Sequence, residues 1–308
     1  MTTTRRLLAA ALLIPLLALA ATGCTDSDDD ENTSDSGSDT TEAGESDEPA
    51  AAEFTFRPLD VGGPNTKAAL ENGDIDIALL FSSDGAIAAN DWVELEDDKG
   101  LQQAENFVPA IRTEVTNDEI AAVLDTVSEA LTDEIVRDSV AAVAIDGDNP
   151  EDVAATILED IDVSGLSASG EITVGSANFA ESNIVAQLYG QALEAAGVSV
   201  TFTPEIGARD AYIPALENGD IDLVPEFTGS LAVFLDGEAE VSAEPEEALE
   251  TARGLAEERG ITLLGIAPAQ SANTFVVTQE TAEEYSLTTV SDLASVEDPL
   301  VLGGPPEC

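Results

Sequence analysis

The chain has 308 residues, of which 63 are Asp or Glu and only 10 are Lys or Arg, giving a formal charge of −53. That imbalance argues against nucleic acid and anionic membrane surfaces as partners, which it repels; it suits a protein exposed to high or varying salt, and it favours a small cationic or zwitterionic ligand. The absence of His removes Ser-His and Cys-His catalysis and His-based metal sites, and no cofactor motif takes their place.

In chain order, "MTTTRR" is a basic start followed by the apolar run "LLAAALLIPLLALAA", too short to span comfortably and flanked like a secretory signal. It ends in "ATGC", which resembles a lipoprotein lipobox with Cys24 as the lipidated first residue of the mature protein. Residues 1–23 are thus expected to be a signal peptide. Residues 24–52 are acidic and rich in Ser, Thr and Gly, and are expected to be a disordered tether. From Phe54 onward strands and helices alternate. "FTFRP", "DIDIALLF", "WVELEDD" and "NFVPAIR" read as strands. "PNTKAALENG", "NDEIAAVLDTVSEAL", "TDEIVRDSVAAVAI" and "NPEDVAATILEDI" read as helices, the last capped by Asn149 with Pro150 in its first turn. "DGDNPED" lacks the Gly and distal Glu of a calcium loop. A Ser/Gly-rich stretch, 164–170, reads as a linker. Beyond it "ITVGSA", "VSVTFTPEI", "DIDLVPEF", "ITLLGIAPA", "NTFVVTQE" and "PLVLGG" are strands. "ESNIVAQLYGQALEAAG", "ARDAYIPALENG", "EPEEALETARGLAEERG" and the short "TVSDLAS" are helices. The interleaving predicts an α/β fold with mainly parallel sheets flanked by helices.

One string, "ALENGDID", occurs at Ala69–Asp76 and again at Ala215–Asp222. Each copy reads as a helix stopped by Asn-Gly and followed by a buried strand. Phe81 and Ser82 end the first strand; Phe227 and Thr228 end the second. Ligands of open α/β sheets bind beyond the carboxyl ends of strands, and an aromatic face attracts a cation. The two rings are therefore candidates for a shared cage, with core plugs at two strand ends as the other reading.

"ITVGSANFAESNIVAQLYGQALEAAG", "YIPALENGDIDLVPEFTGSL", "SANTFVVT", "LVLGGPPEC", "PLDVGGPNTKAALENGDIDIALLFSSDG" and "FVPAIR" together resemble the substrate-binding proteins of osmoprotectant ABC importers, a family that binds glycine betaine, choline and carnitine. The resemblance covers nearly everything after residue 53. It implies a two-lobed periplasmic-binding-protein-like fold of type II, with a hinge between lobes, and an ABC permease as partner. The order of the segments differs from the family's: its C-terminal half lies at 53–163 and its N-terminal half at 171–308. The chain thus resembles a circular permutant or a join of two halved neighbouring genes, and a truncated gene would look the same. On this reading one lobe comprises 84–163 and 171–272, and the other 53–83 and 273–308. The second family cysteine, which would partner Cys308, is missing.

The resemblance places ligand contacts at Asn178 and Glu181 in "SANFAES", Phe227 and Thr228 in "PEFTG", Asn273 and Phe275 in "NTF", and Phe81, Ser82 and Asp84 in "FSSDG". Phe stands where Tyr is usual, so the ring faces are kept and the hydroxyls lost. Arg209 is open to three readings: pairing with a ligand carboxylate, with a lobe carboxylate, or lying on the surface at a helix start. The expected function is a lipid-anchored, non-enzymatic solute receptor at the outer face of the cytoplasmic membrane. A remnant or sensor without transport is the alternative.

Overall fold

The computed structural model describes residues 54–305. The signal peptide, the acidic tether, Cys24 and Cys308 lie outside the described residues. In chain order the elements are β1 (Phe54–Pro58), α1 (Pro64–Glu71), β2 (Ile77–Phe81), α2 (Gly85–Ala89), β3 (Val93–Glu94), β4 (Phe107–Arg112), α3 (Asp118–Ala130), α4 (Asp133–Ala141), α5 (Pro150–Leu158), β5 (Glu171–Gly175) and α6 (Ala180–Ala196). They continue with β6 (Ser199–Thr203), α7 (Arg209–Asn218), β7 (Leu223–Phe227), α8 (Thr228–Leu235), α9 (Pro245–Glu257), β8 (Ile261–Leu263), β9 (Asn273–Val277), α10 (Gln279–Tyr285) and β10 (Leu300–Gly304).

Two mixed five-stranded sheets form two lobes. The first runs β1-β10-β2-β9-β3 and the second β6-β5-β7-β4-β8. In each, one strand opposes the rest: β9 is antiparallel to β2 and β3, and β4 is antiparallel to β7 and β8. The central strands β2 and β7 are buried along nearly their whole length, as in a sheet covered on both faces, and all their residues but Glu226 are apolar. Helices α3 to α6 close one face of the second sheet around Ile120, Leu124, Val185 and Leu188, and α7 to α9 close the other around Ile213, Leu216 and Leu249.

The repeated string builds the same corner twice. Its glycines, Gly73 and Gly219, take φ of 70° and 78°, a left-handed conformation that ends each helix at little cost for Gly. Its last aspartates then clamp the neighbouring parallel strand. Asp76 accepts from the Val301 amide at 2.7 Å, and Asp222 accepts from the Thr173 amide at 2.9 Å. Sequence identity between the copies is thus matched by identity of structural task.

The chain passes between the lobes along two segments that run side by side. Phe107 donates its amide to Ala269 at 3.1 Å, Ala267 to Phe107 at 2.8 Å, and Ser271 to Glu105 at 2.9 Å. This differs from the boundary expected at 83–84. Residues 93–94 pair with β9, and Glu96 bridges Thr289, so the chain stays with the first sheet until 104–107. The expected linker at 164–170 is not a loose one. Ala168 is buried and donates its amide to Ala196 at 2.9 Å.

Helix α2 leans on α4 with Gly85 at the contact. A Cβ at Gly85 would lie 2.4 Å from the Ala141 nitrogen and 2.6 Å from its Cα, both backbone atoms that cannot swing aside. Gly85→Ala is therefore expected to lower stability by about 1–3 kcal/mol in urea denaturation, the usual range for overpacking. An unchanged midpoint would contradict this contact.

Candidate functional site

The site begins with β7. Its residue Glu226 is fully buried, an expensive position for a carboxylate unless its oxygens are matched. Four donors match them. Arg209 Nε donates to Oε1 at 3.0 Å and to Oε2 at 3.1 Å, and Arg209 Nη2 donates to Oε2 at 2.9 Å. The Tyr212 hydroxyl donates at 2.8 Å, and the Phe227 amide at 2.9 Å. Arg209 opens α7 and Tyr212 lies three residues on, so both reach the same side of the helix. Of the three readings open for Arg209, the pairing with a lobe carboxylate is the one observed. The guanidinium carbon also lies 5.9 Å from the Phe227 ring centroid.

Around this anchor lies a cavity of about 510 Å³. From the second lobe come Asn178, Phe179 and Glu181 around the start of α6, Arg209 and Tyr212 from α7, and Phe227 and Ser230 from the end of β7 and start of α8. From the first lobe comes Phe81, and from the connecting segment Ser271. Phe81 and Phe179 expose 42% and 38% of their surface, whereas Phe227 exposes 7%. Phe227 is packed because β4 pairs it in register with Phe107, which sets the two ring centroids 4.7 Å apart. Phe179 lies 6.1 Å from Phe227 on the open side. The two open rings are therefore Phe81 and Phe179, with Phe227 as the wall behind.

Of the residues expected from sequence, Phe81, Asn178, Glu181 and Phe227 share this cavity. The others are placed elsewhere. Ser82 is buried between the lobes, donating its hydroxyl to Gln270 at 3.0 Å and accepting from the Ala272 amide at 3.0 Å. Asp84 caps α2 through the Ala86 amide and pairs with Lys67 at 2.9 Å. Thr228 is fully buried and donates to the Ala104 carbonyl at 3.2 Å. Asn273 lines a polar cavity of about 410 Å³ with Glu94, Glu96 and Asp133, and also a neighbouring one of about 540 Å³ that it shares with Phe81, Ser230 and Ser271. Phe275 turns into an apolar hollow with Phe54, Ile77 and Leu302. Sequence reasoning missed Phe179, Tyr212, Ser230 and Ser271. The one available signal was Phe179 inside "SANFAES", one residue from Asn178.

Glu181 carries a displaced ionisation. Burial raises its carboxyl above the ordinary value of 4.5, and the negative charge of Asp84 adds to the rise. The Ser83 and Ser271 hydroxyls, 3.2 and 3.5 Å from Oε1, pull the other way. A raised value means that the folded state holds the proton more tightly than the unfolded chain. The associated stability is present at low pH and is lost as pH climbs from about 4.5 through the raised value. Glu181→Gln should therefore gain stability relative to the parent as pH rises from that value to neutrality, read as the difference between the two Tm curves. A constant difference would contradict the burial argument. Separately, Arg209→Met leaves Glu226 with two neutral donors. It is expected to cost about 3 kcal/mol in chemical denaturation at neutral pH, as when one partner of a buried ion pair is removed. A loss within 0.5 kcal/mol would mark the pair as a surface one.

Comparison with known proteins gives a consistent result. Residues 53–160 and 170–308 match the family described as the substrate binding domain of the ABC-type glycine betaine transport system. The glycine betaine-binding protein YehZ of Escherichia coli (strain K12) is 29% identical over 131 residues, 42% of this chain and 43% of that protein. The carnitine transport binding protein OpuCC of Listeria monocytogenes serotype 1/2a is 32% identical over 142 residues, 45% of this chain and 46% of that protein. The chain spans about half the length of the curated relatives it matches. Among solved structures, the binding protein AgaA from A. tumefaciens R10 with agropinic acid shares 12% identity over 70% of this chain and 53% of its own, with a TM-score of 0.33. NikA from Brucella suis with Fe(III)-EDTA shares 15% over 71% and 56%, with a TM-score of 0.35. Likeness of that size is too slight to build on, and the family assignment rests on the two matched stretches. The chain belongs to the family of substrate-binding domains of ABC-type glycine betaine transport systems.

Proposed function

We propose that the chain is the extracytoplasmic solute-binding protein of an ABC importer and takes a quaternary-ammonium solute into the cavity between Phe81 and Phe179. The observation that carries this is the convergence of two exposed rings, one from each lobe, on a single cavity bordered by a carboxylate. A large apolar ring left open to solvent in a cavity marks a binding surface more than a core defect. The ring quadrupole attracts an ammonium group, and a partly desolvated cage strengthens that attraction. With its rings on different lobes, the solute would favour the closed arrangement and present it to a permease. No described helix is long and apolar enough to cross a membrane. Attachment through a lipid on Cys24, outside the described residues, belongs to the same proposal, as does a non-enzymatic role.

The permuted order of the two halves is part of the reading. Its support is that the segment 164–170, where the two halves join, packs in place with Ala168 donating its amide to Ala196 at 2.9 Å, while β1 and β10, between which the order is opened, stay paired in parallel from Phe54 with Leu300 to Pro58 with Gly304. Permutation is tolerated where the ends it joins lie close together.

Calorimetric titration with choline, glycine betaine and carnitine tests the proposal. Saturable binding of at least one solute is expected, weakened about tenfold or more by Phe81→Ala and by Phe179→Ala. Phe227→Ala is expected to act mainly on stability, because that ring is packed against Phe107. No binding by the folded parent, or full affinity in both Phe variants, would sink the cage.

A further inference from the structure

The charges around the cavity do not balance. Arg209 is already matched by Glu226 at 2.9 Å. Behind Ser230 stands the buried Glu105, which accepts from the Ser230 hydroxyl at 2.6 Å and from its amide at 2.9 Å. Glu181 forms part of the wall itself. Asp84, the other carboxylate acting on Glu181, is offset by Lys67 at 2.9 Å. Arg209 is thus a single positive charge among Glu226, Glu105 and Glu181. The surroundings are net negative where a solute would enter. A zwitterion brings its own carboxylate into that field, and the strongest nearby donor, Arg209, has Nε and Nη2 committed to Glu226. A solute with net positive charge meets no such conflict.

We propose that Glu181 is the specificity-determining residue of the cavity and makes it select a solute of net positive charge over a zwitterion with the same ammonium head. The inference rests on the cavity being the solute site. Glu181 lies in the first turn of α6 on one lobe. Ser83, from the turn after β2, and Ser271, from the connecting segment, bring their hydroxyls to its Oε1 and lie 2.8 Å from each other. The carboxylate is therefore held across the junction of the lobes, where a solute's charge is felt by both. A zwitterion repelled by Glu181 lacks this link, whereas a cation reinforces it.

The arrangement also couples binding to a proton. Burial disfavours the ionised form of Glu181 and an entering cation favours it, so binding of the cation is linked to loss of the proton. The charged groups facing it are the Asp84–Lys67 pair, the Arg209–Glu226 pair and Glu105. Affinity for the cation accordingly rises with pH through the titration of Glu181, and affinity for the zwitterion does not.

The test is calorimetric titration of choline and of glycine betaine into the full chain, in acid and at neutral pH, repeated with Glu181→Gln and Glu181→Asp. The parent is expected to bind choline about tenfold more tightly than betaine, and increasingly so as pH rises. Glu181→Gln should remove most of that preference by weakening choline, and Glu181→Asp should restore part of it. The parent preference and its pH dependence need no variant, so they stand even where Glu181→Gln does not fold. A parent that binds both solutes but prefers betaine overturns this inference alone, as does an equal loss for both solutes in Glu181→Gln. A folded parent that binds neither overturns the solute site itself and this inference with it.

Discussion

The cavity depends on one buried carboxylate. Glu226 sits at the end of a central strand with no exposure, where an unmatched charge would be prohibitive. Its oxygens are met by Arg209, Tyr212 and the Phe227 amide, and meeting them fixes three walls together. The start of α7 is drawn over the strand end. The Arg209 guanidinium is laid against the Phe227 ring. The Phe227 backbone is held by the side chain that precedes it. A hydrophobic residue at 226 would fill the space but orient none of these groups.

The two crossing segments set the second constraint. Their amide bonds, from Phe107 to Ala269 and from Ser271 to Glu105, hold the connections as a short ladder. Ser82 fastens the first lobe to it, and Arg137 reaches from α4 to the Ser82 carbonyl at 2.6 Å and to Glu94. Phe81 is one residue from that fastening. Its ring therefore belongs to the first lobe, while Phe179 and Glu181 belong to the second. A solute touching both rings spans the junction, which is how binding would be converted into a change of shape that a membrane partner can read.

Much of this was legible in the sequence because it is local. The repeat announced two equivalent corners, and both Asn-Gly stops and both following strands are present. Asn149 caps α5 as expected, accepting from the Glu151 amide at 3.0 Å. What was not legible depends on long-range pairing. That Phe227 is shut and Phe179 open follows from β4 lying antiparallel against β7, which no local pattern reveals. Asn273 and Phe275 share a strand face by alternation, yet one ends at a cavity rim and the other in an apolar hollow. Helix α8 went unread because its start is satisfied from afar, with Glu105 accepting from the Ser230 amide. The crossing at 104–107 was misplaced because β3, which keeps the chain in the first sheet, is only two residues long.

The central claim is that the cavity bordered by Phe81, Phe179 and Glu181 holds an ammonium group. A crystal structure of the chain grown with choline tests it most directly. The account predicts the quaternary nitrogen within about 6 Å of the centroids of both open rings, on the side facing Glu181. Choline in the separate cavity lined by Glu94 and Asn273, with the Phe81–Phe179 cavity filled by solvent, would contradict it.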